Sequence, residues 1–138
     1  MSALAFCLGL HRAHASLRHK LDEDLGFFHG IGWDDFVLLS LLEESAAGVP
    51  ITRLSQSLRI SPSAALRRLP PLEKTGLVVR ERGGGLRAVL RPAGARLVRE
   101  ARETAAAHCE QALRGDAALP AAAGLLERLA TSTALRIA

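Results

Sequence analysis

Between Pro50 and Arg96 the chain carries ten Lys and Arg residues (Arg53, Arg59, Arg67, Arg68, Lys74, Arg80, Arg82, Arg87, Arg91 and Arg96) against two acids, Glu73 and Glu81, a local net charge of +8. The rest of the 138 residues hold eight basic and twelve acidic side chains, net −4, so the overall +4 conceals a strong asymmetry. Guanidinium groups at this density attract phosphate, and their forked N–H donors match phosphate oxygens or purine edges. A solvated basic face is the plainer reading. It is the coincidence of the charge with a two-helix pattern that favours a polyanion.

Other chemistries have less support. No nucleophile stands with a partnered base, and Gly83-Gly84-Gly85 lacks the lysine and following helix of a phosphate loop, so no enzyme is expected. His11 and His14, spaced i and i+3, could share a metal closed by His108 or by an Asp or Glu from another helix, but solvated histidines are the commoner outcome. There is neither a Cys-x-x-Cys pair nor a His-Glu-x-x-His helix, and no metal or cofactor is expected. Tyrosine is absent and aromatics make up 4%, which argues against a stacking platform for single strands. No run of eighteen apolar residues suggests a membrane span, the opening MSALAFCLGL is not a persuasive secretory signal, and the two cysteines are far apart. A cytoplasmic, reducing setting is expected.

The elements that must position the arginines can be read from local signals. Pro50 to Leu58 reads as a short helix with Ile51, Leu54 and Leu58 on one face. After Arg59-Ile60, Ser61-Pro62 is a strong helix start, a serine N-cap followed by proline in the first turn. This second helix should bury Ala65, Leu66, Leu69 and Leu72 and turn Ser61, Ser63, Ala64, Arg67 and Arg68 outward. Pro70-Pro71 should end or kink it near Leu69, since interior proline removes a hydrogen bond and clashes with the preceding turn. Leu77 to Arg82 and Leu86 to Leu90 read as strands joined by the glycine triplet. The fold class expected is mainly α with a small β-hairpin wing: a winged helix-turn-helix.

The flanks are helical. Leu4 to Leu25 has a helical period through Phe6, Leu10, Ala13, Leu17 and Leu21, and is expected to break at Gly26-Phe27-Phe28-His29-Gly30. Trp33 to Glu44 is almost wholly apolar after Asp34-Asp35 and should be the most buried helix. Pro92 to about Leu113 and Leu119 to Leu135 follow, the latter with Leu125, Leu126, Leu129 and Ile137 as anchors. Three long apolar faces exceed what one copy can cover, which predicts an interlocked dimer.

SPSAALRRL, LEKTGLVVRE, a glycine turn and LRPAG together resemble the DNA-binding core of the MarR-type transcriptional regulators, and HGIGWDDFVLLSLL resembles the helix preceding that core. The resemblance implies a single domain over 1–138, with dimerisation helices at 1–28 and 93–138 and a DNA-binding winged helix at 33–91. It implies a homodimeric, cytoplasmic bacterial repressor or activator that binds a pseudo-palindromic double-stranded site and often answers to a small ligand or oxidant. On such a protein Ser61 and Ser63 would meet phosphates or base edges, Arg67 would pair with guanine, and Arg68 could do either. Arg53, Arg80, Arg82 and Arg87 would touch phosphates. His14, Phe28 and Trp33 are candidates to line an effector pocket, against the plainer reading of core packing.

Two departures qualify the resemblance: the hairpin tip, and Pro70-Pro71, which fall where the recognition helix would normally continue. The family's hairpin carries an acid and an arginine near its tip; here the tip is GGG between Arg82 and Arg87. One branch of the family senses peroxides through a cysteine early in the first helix. Cys7 lies about a turn nearer the helix end, without the tyrosines that activate the thiol, and ordinary packing is the expectation. The alternative functions are a winged-helix protein-interaction module that no longer reads DNA and a thiol redox-sensing regulator acting through Cys7.

Overall fold

The structure is a computed structural model and describes residues 1–135. Its elements are α1 (Ala3–His29), α2 (Trp33–Leu42), β1 (Val49–Pro50), α3 (Ile51–Leu58), α4 (Pro62–Lys74), β2 (Val78–Arg82), β3 (Leu86–Leu90), α5 (Pro92–Leu113) and α6 (Leu119–Leu135). The chain divides into two compact units, Met1–Ala105 and Ala106–Ala138, with the boundary inside α5. No single helix among the described residues is long and apolar enough to cross a membrane.

In the first unit, α1 starts where Ser2 accepts a hydrogen bond from the Ala5 amide at 3.1 Å. It does not break at Gly26. The helix runs on to His29 and stops at Gly30, whose φ of 70° is the left-handed conformation that suits glycine at a helix end. A lone glycine in a helix costs about 1 kcal/mol relative to alanine. Complete burial of Leu25, one residue earlier, outweighs that.

The start of α2 is tied back to α1, because Asp22 Oδ1 accepts from the Trp33 amide at 2.7 Å. Asp34 and Asp35 then occupy the first turn, where the helix dipole favours carboxylates. Phe36, Leu38, Leu39 and Leu42 are buried, which puts this helix in the core as its composition requires.

The sheet has three strands, in the order β1-β3-β2, all antiparallel. The expected hairpin is β2 and β3, in register from Val78 opposite Leu90 to Arg82 opposite Leu86. The added strand is Val49–Pro50, which pairs with Ala88 and Arg87. Pro50 therefore closes an edge strand, where a missing N–H is tolerated, and α3 begins one residue later than its sequence suggested.

Helix α4 also corrects an expectation. It continues through Pro70-Pro71 to Lys74. Ala65, Leu69 and Leu72 are all buried, so packing holds the helix on both sides of the prolines. The prolines themselves are exposed, and they lack the amides that would otherwise meet the Leu66 and Arg67 carbonyls. Leu66, expected in the core, is half-buried.

Helix α5 enters against the sheet. The Arg91 amide donates to the Leu77 carbonyl at 2.9 Å, and a Cβ on Gly94 would lie 2.3 Å from that same carbonyl oxygen. Only glycine permits this approach. Further along, Val98, Ala101 and Ala105 are buried, and Thr104 Oγ1 is hydrogen-bonded with His29 Nε2 at 2.7 Å. Arg102 forms two hydrogen bonds with the Glu43 carboxylate, and they raise its guanidinium pKa further above the working range.

The second unit contains the end of α5 and α6, joined by a turn in which Gly115 has a φ of 72° and Asp116 Oδ1 accepts from the Ala118 amide. Leu113, Leu119, Leu125 and Leu126 are exposed. The expected anchor Ile137 lies outside the described residues.

Candidate nucleic-acid interface

Helices α3 and α4 are joined by a turn whose sharpness comes from Arg59. Its φ of 57° is left-handed, and the Ile60 amide then returns to the Ser55 carbonyl at 3.1 Å. Ser61 Oγ accepts from the Ala64 amide at 3.1 Å, capping α4. That contact uses an acceptor of the hydroxyl and leaves its proton free to donate. Burial of Ala65, Leu69 and Leu72 turns the opposite face of α4 to solvent, where Ser63, Arg67 and Lys74 recur at helical spacing.

The eight candidate DNA contacts differ in their engagements. Arg53, Arg67 and Arg82 are exposed, and no ion pair or hydrogen bond holds their guanidinium groups among the described residues. Ser63 is exposed as well. Arg68 is half-buried, with Nη2 at 4.0 Å from Asp34 Oδ2. On the wing, Arg80 Nε stands 2.9 Å from Glu73 Oε1, a charge contact that lacks hydrogen-bond angles. Arg87 donates from Nη1 to the Gly48 carbonyl at 3.1 Å and from Nε to the Gly83 carbonyl at 3.3 Å. The tip is tight, with the Gly83 amide bonded to the Gly85 carbonyl.

The residues proposed for an effector do not gather. His14 and Phe28 are exposed on α1, and half-buried Trp33 packs on Phe36 at 5.5 Å between ring centroids. A different cavity in the first unit, of about 330 Å³, is lined by His29, Ile31, Asp35, Leu72, Thr75 and Leu97, among others. In the sequence His29 belongs only to an expected helix break, and nothing local marks it as a pocket residue. Cys7 is exposed and Cys109 half-buried, both as free thiols. Among the described residues no three His, Cys, Asp or Glu side chains are grouped to hold a metal.

A helix-turn-helix with a cationic outer face, followed by a braced hairpin, defines the winged-helix class of nucleic-acid-binding folds. No family model matches the chain, and no curated protein is similar to it in sequence. Solved structures are similar over almost the whole length. CouR from Rhodococcus jostii RHA1, bound to p-coumaroyl-CoA, superposes with a TM-score of 0.85 at 22% identity, covering 94% of this chain and 96% of its own. Sco3205 from Streptomyces coelicolor, a MarR family transcriptional regulator in complex with DNA, gives 0.84 at 23% identity, with 96% and 89% covered. A MarR family regulator from Rhodococcus sp. RHA1 gives 0.83 at 23%, with 94% and 96% covered. The fold is therefore that of the MarR-family transcriptional regulators, as the sequence resemblance implied.

Proposed function

We propose that this protein is a sequence-specific, double-stranded-DNA-binding transcriptional regulator of the MarR type, acting by binding rather than catalysis in a bacterial cytoplasm. The observation that carries the reading is Arg67, exposed and unengaged among the described residues on the second helix of a helix-turn-helix, within a stretch of net charge +8. The DNA complex of Sco3205, which shares the fold, supports it. In this reading α4 enters the major groove, Arg67 reads a base edge, and Ser61 and Ser63 meet phosphate or base. Arg53 and Arg82 meet phosphates. Arg80 and Arg87 act first as wing braces.

The working unit is a homodimer formed through residues 1–28 and 93–138, with the 33–91 cores on two half-sites about one helical turn apart. Exposed Leu4 and Leu8 on α1, and Leu113, Leu119, Leu125 and Leu126 in the second unit, support this, since a lone copy leaves them in water. A small effector is also part of the proposal, supported by the 330 Å³ cavity and by the ligand of CouR. A mobility-shift titration of duplex DNA over a range of salt, with light scattering for mass, tests the reading. Salt-sensitive retardation by a dimer supports it; a monomer that ignores duplex DNA overturns it. The interaction-module alternative gains from the wing, where two of the three candidate arginines are already engaged, and it predicts no retardation of duplex DNA, whether the protein is a monomer or a dimer.

A further inference from the structure

We propose that Asp34 is a positioning residue that sets DNA affinity by competing with the duplex for Arg68; the inference rests on the DNA-binding reading. The two arginines at the centre of α4 have different surroundings. Arg67 is exposed and unengaged among the described residues, whereas Arg68 Nη2 lies 4.0 Å from Asp34 Oδ2 in the first turn of α2. That same oxygen receives Nη2 of Arg18 from α1 at 2.5 Å, and Arg18 Nε also stands 3.8 Å from Asp22 Oδ2. One carboxylate is therefore shared by two arginines on two helices, and Arg18 is the nearer.

All three side chains are partly open, with 34% of Arg68, 36% of Asp34 and 44% of Arg18 exposed. An ion pair this wet exchanges partners readily. Phosphate or a guanine edge offers a guanidinium a charge-assisted or bidentate partner, so DNA can take Arg68 from Asp34. Asp34 then returns wholly to Arg18. Removing Asp34 frees Arg68 in advance, while removing Arg18 leaves Asp34 with Arg68 alone and tightens the tether. The two substitutions thus shift affinity in opposite directions through the same atom.

The test is a fluorescence-anisotropy titration of a mixed-sequence duplex with the full chain, for wild type, Asp34→Asn, Arg18→Ala and each of these combined with Arg68→Ala. Asp34→Asn is expected to tighten binding roughly two- to fivefold, the scale of one exposed ion pair, and to steepen the salt slope by about one. Arg18→Ala is expected to weaken binding on the same scale, and only while Arg68 is present. In the Arg68→Ala background neither substitution should matter. Equal gains from Asp34→Asn with and without Arg68 would mean bulk charge alone and overturn the tether, as would no gain in either background. Failure of every variant, wild type included, to bind the duplex would instead overturn the DNA-binding reading and the inference with it. The Arg18 variants keep the comparison decisive if Asp34→Asn fails to fold.

Discussion

Arg87 on β3 donates a hydrogen bond to the carbonyl of Gly48, thirty-nine residues earlier, and so ties the wing to the strand that precedes the helix-turn-helix. A second bond to the Gly83 carbonyl reaches the wing tip. The same guanidinium thus links the hairpin tip to the segment just before β1. The sequence suggested a phosphate contact for it, but its present partners are backbone.

Replacing Arg87 with alanine should therefore lower stability by about 1–2 kcal/mol, the scale for losing hydrogen bonds from a charged donor at a part-exposed site. Arg82→Ala should leave stability within about 0.5 kcal/mol and instead weaken binding to all duplex sequences alike, reducing the salt slope by about one. Thermal unfolding and salt titration of both variants check the division. Equal stability losses would show that the arginines share one role.

Gly94 should be intolerant of any side chain. Its missing Cβ would stand 2.3 Å from the Leu77 carbonyl oxygen and 2.7 Å from Leu90 Cδ1. Gly94→Ala forces α5 off the sheet and should cost about 1–3 kcal/mol by urea unfolding, the range for overpacking. A neutral result would mean that α5 can shift without penalty.

Much of the fold was legible because its signals are local. Ser61-Pro62 starts α4 through a cap and a fixed φ, and the glycine triplet separates two strands whose partners adjoin in sequence. Elsewhere distant burial overrides the local signals. Gly26 stays helical beside buried Leu25, and Pro70-Pro71 stay helical between buried Leu69 and Leu72. The two residues of β1 had no periodicity to show, because they form a strand only by meeting Ala88 and Arg87. Of the candidate interface, residue type and exposure could be anticipated for Arg53, Arg67 and Arg82. The engagement of Arg68, Arg80 and Arg87 depends on Asp34, Glu73 and Gly48, which only the folded chain brings near.

The prolines give a prediction of opposite sign. Pro70→Ala restores an amide to an exposed helix position and should stabilise the protein by about 1–2 kcal/mol, after allowing for the freer unfolded chain. Circular dichroism melts of the single variant test this. A fall in melting temperature would mean that the proline rings make contacts worth more than the missing hydrogen bond.

The turn between α3 and α4 should respond in the same direction. Arg59 holds a left-handed backbone that costs a side-chain-bearing residue about 1–2 kcal/mol. Arg59→Gly should therefore raise stability by up to about 1 kcal/mol, part of the relief being offset by the entropy of an unfolded glycine. Calorimetry resolves a change of that size, and a loss of stability would place the Arg59 side chain in a supporting role.

Base reading by α4 is the claim on which the function depends. It is tested most directly by selecting preferred duplexes from a random pool and comparing wild type with Arg67→Ala on the selected site and on mixed sequence. The expected result is a preference that falls by about 1–3 kcal/mol in the variant while mixed-sequence binding persists. Selection that enriches no sequence, or a preference that survives the loss of Arg67, would contradict it.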